Sequence, residues 1–203
     1  MDIAIIGTGN IGGALARRWA QIGHNINLGV RNTSSFKGQD LVKFSNINLK
    51  SIQQAVLDSE VIVVAVPAMA ILDLVQHLQN CKGKIIIDTT NAVRYKPEPY
   101  KTVFHCLQDN TEAELVKCFN TTGFENIINS NYNGNGIDMF MAGNSGIAKD
   151  VARKLALQLG FSNCFDFGTD DKVELLEMLA MSWINLAIMQ GHGRNIAFKL
   201  VKR

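Results

Sequence analysis

A doubly wound α/β fold with a mostly parallel sheet and a small C-terminal helical extension is what this sequence predicts, on three observations. Short β-branched apolar runs alternate with helix-like stretches. The apolar runs are continuous rather than alternating with polar residues, and the first of them leads straight into a glycine-rich turn. Continuous runs belong to strands covered on both faces, as in a parallel sheet. Strand then helix, repeated, supplies the crossovers that such a sheet requires. The 203 residues, 47% hydrophobic against 19% charged, are enough to bury a sizeable core.

The elements follow in order. Residues 3–6 read as a strand, and 13–22 as a helix with Leu15, Trp19 and Ile22 at helical spacing. A second strand is expected at 25–30. A short helix follows at 51–58, with Ile52, Ala55 and Val56 on one face. The strand at 61–66 leads into a helix at 67–80 that turns Ile71, Leu72, Val75 and Leu78 toward the sheet. Further strands are expected at 84–88, 115–119, 138–142 and 163–167, with a helix at 145–159 before the last. Asparagines and glycines over 129–136 predict a polar surface loop.

The segment 170–190 differs from these. Asp170 and Asp171 suit a helix N-terminus. Val173, Leu176, Leu179, Trp183 and Leu186 form one stripe, while Leu175, Met178, Met181, Ile184 and Ile188 cover other faces. A helix apolar nearly all round is buried on more than one side, here against a second subunit or within the monomer's own core. The chain therefore divides into a nucleotide-binding domain at 1–169 and a helical extension at 170–203 that supplies a substrate pocket or a dimer contact.

The run Gly7-Thr8-Gly9-Asn10-Ile11-Gly12 follows a strand and opens a helix, the context in which a GxGxxG pattern binds a dinucleotide. Gly7 makes the tight turn, Gly9 lets the backbone approach a pyrophosphate, and Gly12 allows close helix–strand packing. The free N–H groups at the helix start face the phosphate charge. An NAD-selective site carries Asp or Glu about 20 residues further on, to hold the ribose 2′-hydroxyl. Here that place holds Arg31, and no acid occurs between Asp2 and Asp40. Arg31-Asn32-Thr33-Ser34-Ser35, with Lys37 close by, suits a phosphate dianion that an Asp would repel. NADP(H) is the expected cofactor. Two strand ends should complete the wall, one with Val66 and Pro67, the other with Asn91 and Ala92, because ligands of such sheets sit beyond the carboxyl ends of the strands.

Composition narrows the partners. A net charge of +2 is too mild for a nucleic-acid binder. The longest apolar run, 61–72, is interrupted by Pro67 and too short to span a bilayer. Cys81, Cys106, Cys118 and Cys164 lack zinc or redox spacing, so no metal site is expected. The N-terminus runs directly into a strand with no basic leader. A cytoplasmic protein, most simply a homodimer acting on a small molecule, is the expectation.

Several segments resemble the NADP oxidoreductases dependent on the deazaflavin coenzyme F-420, a family that also covers the cytosolic domain of STEAP ferric reductases. These are Ile5-Ile6-Gly7-Thr8-Gly9-Asn10-Ile11-Gly12, Gly23-His24, Leu28-Gly29-Val30-Arg31-Asn32, Val66-Pro67, Lys117-Cys118-Phe119-Asn120-Thr121 and Gln190-Gly191-His192-Gly193-Arg194-Asn195. The resemblance implies hydride transfer between nicotinamide and a flat flavin-like or deazaflavin ring, without a catalytic acid–base residue. It also implies that Asn120 and Thr121 border the nicotinamide. Phe119-Asn120-Thr121 looks closer to the bacterial and STEAP-type branch than to archaeal deazaflavin-dependent members, so coenzyme F-420, a flavin and a ferric chelate all stay open as acceptors. Two alternatives remain beside this reading: an imine reductase akin to pyrroline-carboxylate reductase, and a non-catalytic NADP(H) sensor. His192 is either a contact to the second substrate or partner subunit, or an incidental side chain in a turn.

Overall fold

The computed structural model of the protein describes residues 1–93 and 95–203. Among the described residues ten strands are present: β1 (Asp2–Ile6), β2 (Asn25–Val30), β3 (Ile47–Ser51), β4 (Val61–Val64), β5 (Ile85–Asp88), β6 (Glu114–Cys118), β7 (Asn131–Tyr132), β8 (Asn135–Gly136), β9 (Asp138–Ala142) and β10 (Asn163–Asp166). The α-helices are α1 (Asn10–Ile22), α2 (Ile52–Leu57), α3 (Ile71–Leu74), α4 (Val103–Asn110), α5 (Phe124–Ile128), α6 (Gly146–Gln158) and α7 (Val173–Ile184). Eight strands form one sheet in the order β10-β9-β6-β5-β4-β1-β2-β3. From β3 to β6 every pairing is parallel, and β9 then joins β6 antiparallel. The parallel part is the doubly wound order of dinucleotide-binding folds, with its switch point between β1 and β4.

Strand residues alternate between the two faces. Ile3, Ile5, Leu28 and Val63 face Leu15 and Trp19 of α1 and Leu155 of α6. Ala4, Ile6, Ile62 and Val64 face the other way, toward Ile52, Ile71, Phe104 and Leu176 of α2, α3, α4 and α7. Each fully buried large side chain contributes about 1.5–3 kcal/mol. Two burial layers account for the continuous apolar runs in the sequence.

Several expected elements take a different form. The expected helix at 67–80 is a 3₁₀ turn (Ala68–Ala70), the one-turn α3 and a second 3₁₀ turn (Val75–His77). The last helix ends at Ile184 and continues as a π-turn, Asn185–Met189. The 129–136 segment is not an open loop but a hairpin of β7 and β8, turned through Asn133 and Gly134 at φ of 53° and 86°. Asn-Gly at both central positions suits that turn. Among the described residues, β3, α4, α5 and a 3₁₀ turn at Gln39–Lys43 have no counterpart in the sequence reading. For α4, Thr102 caps the helix by accepting from His105 N at 3.4 Å, but Val, Phe, His, Cys and Asn are weak helix formers.

Candidate functional site

At the carboxyl end of β1 the chain turns through Gly7 at φ +101°. A Cβ there would lie 2.4 Å from the Ala65 carbonyl oxygen, so only glycine fits. Gly12 is tighter, since a Cβ would come within 1.9 Å of the Gly7 oxygen. That glycine seats the first turn of α1 against β1. Gly9, by contrast, faces open space, leaving room for a ligand beside the helix start. A cleft of about 720 Å³ extends from here, lined by Thr8, Arg31, Asn32, Ser35, Lys37, Val66 and Pro67. Arg31 is exposed and forms no ion pair among the described residues. Asp40, the first acid after Asp2, pairs with Arg17 instead, and that hydrogen bond holds its carboxyl below the usual range.

A second cleft, of about 480 Å³, meets the first at Pro67. Its walls are largely apolar: Ile11, Met69, Phe124, Trp183, Ile184 and Ile188. Asn91 and Asn120 supply polar groups on one side and Arg194 on another. The Arg194 guanidinium lies 5.5 Å from the ring centroids of both Phe124 and Trp183, and its Nε donates to Glu125. Trp183 Nε1 donates to the Ile196 carbonyl at 2.7 Å, and Asn126 Nδ2 donates to the same oxygen at 2.8 Å. The C-terminal segment thus straps the tryptophan into the cleft wall.

The asparagines are held by each other. Asn91 Nδ2 donates to the Asn120 carbonyl at 2.8 Å, and Asn120 Nδ2 donates to Asn91 Oδ1 at 3.0 Å. Asn120 Oδ1 is buried with no partner among the described residues. Phe119 precedes it at φ +62°, a conformation that costs a residue of this kind about 1–3 kcal/mol. Its ring packs edge-on against Trp19 at 5.5 Å, which holds the bend and sets Asn120 opposite Asn91.

Behind this wall lies a buried ion triad. Lys117 Nζ donates to Asp88 Oδ2 at 2.9 Å and to Glu177 Oε1 at 2.5 Å, with the lysine side chain fully buried. Burial alone would lower the Lys117 pKa, but the two carboxylates outweigh it and raise it. Glu177 Oε2 accepts from Ala92 N and Asp88 Oδ1 from Thr90 N, each at 2.9 Å. Nothing in the sequence pattern marks this triad, because its members are 29 and 60 residues apart in the chain.

Of the residues expected at the site, Gly7, Thr8, Gly9, Arg31, Asn32 and Val66 line the first cleft, Asn10, Ile11, Asn91 and Asn120 the second, and Pro67 both. Gly12 lies beneath the turn, where it packs. Three more lie outside both clefts. Thr33 is exposed beyond the rim. Ala92 is buried in the core with its N–H on Glu177. Thr121 is buried, its hydroxyl toward the Met139 sulfur at 3.9 Å. The sequence reading missed Asp73 and His77 on the first cleft, a few residues past Pro67, and on the second Tyr95 and Phe124, each four residues past an expected asparagine, with Arg194 from the distant C-terminal segment. His192 is exposed and lines neither cleft. Among the described residues no cluster of His, Cys, Asp or Glu could hold a metal, and no helix is long and apolar enough to cross a membrane.

Residues 2–92, a little under half of the chain, match the family described as NADP oxidoreductase, coenzyme F420-dependent. The resemblance read from the sequence is borne out there. Among solved structures, a protein from Arthrobacter sp. FB24, provisionally described as an F420-dependent NADP reductase, is 25% identical with a TM-score of 0.84, covering 100% of both chains. Hypothetical protein SMa0349 from Sinorhizobium meliloti is 26% identical with a TM-score of 0.71, over 100% of this chain and 96% of that one. An imine reductase from Myxococcus stipitatus in complex with NADP+ is 16% identical with a TM-score of 0.67, over 94% of this chain. That likeness is one of fold, and this chain spans 63% of the imine reductase.

Proposed function

We propose, from the family match and the two clefts that meet at Pro67, that this chain is an NADP(H)-dependent oxidoreductase passing a hydride between nicotinamide and a flat flavin-like or deazaflavin acceptor of the coenzyme F-420 type. The observation that carries the reading is the junction itself. One cleft is glycine-cradled and cationic, and the other is apolar and aromatic. Such a pair suits a dinucleotide whose reactive ring reaches a second, planar ring.

The residues present fit NADP(H). Open space at Gly9 admits a pyrophosphate, and the N–H groups opening α1 face it. Arg31, with Ser35 and Lys37 beside it, would hold the 2′-phosphate. Asn120, on the cleft wall and held by Asn91, would border the nicotinamide. The dinucleotide, when bound, supplies the hydride chemistry. The chain positions and excludes water: Phe124, Trp183 and Ile184 wall the acceptor side, and Arg194 is braced between two rings. No side chain need donate or remove a proton for a hydride to pass. The exposed Leu175, Met178 and Met189 along the last helical segment support a homodimer formed through that face. Four unpaired cysteines are in keeping with a reducing, cytoplasmic setting.

The test is a panel. Purified protein with NADPH is given coenzyme F-420, FMN, FAD, a ferric chelate and a cyclic imine in turn, and absorbance of the reduced nicotinamide is followed. Turnover with a flavin-like or deazaflavin ring is expected. Turnover with the imine alone would replace this reading by the imine-reductase one. Binding of NADPH with no turnover on any acceptor would replace it by a sensor.

A further inference from the structure

The buried triad is not used by hydride transfer as argued above, yet its charges do not cancel. All four carboxylate oxygens face donors: Asp88 those of Lys117 and Thr90, Glu177 those of Lys117 and Ala92. A protonated carboxyl would have to donate through one of these oxygens, and none has an acceptor before it. Both carboxylates are therefore anions, and Lys117 balances only one of them. One net negative charge is sealed inside the fold.

Its placement bears on the cleft. Asp88 directly precedes Thr89, and Lys117 stands two residues before Phe119 on the same run of chain. Glu177 is one helical turn before Ala180. All three neighbours line the second cleft. Glu177 also holds the N–H of Ala92, beside Asn91.

We propose that the Lys117–Asp88–Glu177 triad is a positioning charge that favours the oxidised, cationic nicotinamide over the reduced one, and so biases the bound cofactor toward giving up hydride. This rests on the reading that the cleft binds NADP(H). Release of a hydride, with its electron pair, to the ring acceptor named above changes the nicotinamide from neutral to singly positive. The buried anion attracts the positive form and is indifferent to the neutral one. Behind a dry wall, with an effective dielectric of about 20 rather than 80, a single charge acts about fourfold more strongly than through water. A purely structural role explains less. A buried ion cluster is weak as a source of stability, and a two-to-one cluster leaves charge uncompensated.

The experiment measures the Kd of NADPH and of NADP+ for the wild type, Glu177→Gln, Asp88→Asn and Glu177→Asp, with thermal melting as the control for folding. Wild type is expected to bind NADP+ at least as tightly as NADPH. Each neutral variant should raise the ratio Kd(NADP+)/Kd(NADPH) by about tenfold, equivalent to a positive shift of about 30 mV in the bound two-electron couple. Glu177→Asp keeps the charge and should keep the wild-type ratio. Neutral variants that weaken both forms equally would show a packing role and overturn the proposal. So would a wild type that binds NADPH tenfold tighter, a result independent of any variant. A wild type that binds neither form would instead overturn the functional reading, and this inference with it.

Discussion

Arg31 stands exposed at the end of β2, on the rim of the glycine-cradled cleft and without an acidic partner there. On the proposed reading its guanidinium meets the 2′-phosphate, the group that NADPH has and NADH lacks. Arg31→Ala should weaken NADPH binding by about 1.5–3 kcal/mol, the worth of a charge-assisted hydrogen bond, and leave NADH binding nearly unchanged. Titration of both cofactors against both proteins checks this, and equal losses would remove the argument for NADP(H). The cysteines show burial at the same scale. Burial pushes the Cys81 and Cys106 thiols up to about 11. A raised pKa leaves about one thiol in a thousand ionised at pH 8, and the thiolate is the reactive form. Labelling by a thiol reagent at pH 8 should therefore be slow in the native protein and rapid in denaturant. Fast native labelling would contradict the packing around α4 and the start of β5.

At the scale of elements, α7 and the π-turn after it have two unlike sides. Val173, Leu176, Ala180, Trp183 and Ala187 are buried, whereas Met178 is 63% exposed and Leu175, Ile188 and Met189 are more than half exposed. The sequence pattern required burial on more than one side, and the monomer provides only one. Met178→Glu should shift a dimer to monomer in size-exclusion or sedimentation measurements at micromolar concentration while leaving the melting temperature nearly unchanged. A wild type that is already monomeric would refute the dimer. A π-turn inserts an extra residue into the helical register and is often found at functional sites. Here it carries Ile188, which lines the second cleft.

For the whole molecule, the triad joins three separate segments: β5 and its loop, β6, and the C-terminal helix. Lys117→Met would leave two buried carboxylates without a cation, and a loss of about 3–5 kcal/mol in unfolding free energy is expected. The lysine also sets an alkaline limit. Its folded pKa is raised above the ordinary 10.5, so its contribution is fully present below 10.5 and is lost as pH rises through the folded value. Denaturant midpoints should therefore fall above about pH 10.5 in the wild type, with a shallower fall in Lys117→Met. A parallel alkaline decline in the two proteins would assign the effect elsewhere.

How much could be read beforehand depended on whether the signal was local. Gly7 and Gly12 were legible because the steric demand of a tight turn and a close helix–strand approach falls on a few neighbouring residues. The strands were legible because burial on both faces leaves runs such as Val61–Val64 with no polar position. Arg31 was legible by its distance from the glycines. The aromatic wall of the second cleft was not. Phe124 lies about 60 residues before Trp183 and further before Arg194, and their spacing says nothing of their meeting. The same holds for Lys117, which sits in an apolar strand, and whose reason for being there is visible only when Asp88 and Glu177 close around it. Thr121, which the family resemblance placed at the nicotinamide, and Ala92, expected from its strand end, show the converse, since each turns to the core beside an asparagine that lines the cleft. Local backbone sterics and hydrophobic periodicity, properties of neighbours in sequence, determined the doubly wound fold and its glycine-cradled cleft. The apolar cleft was decided by tertiary packing, because charge pairing and cavity walls are properties of neighbours in space.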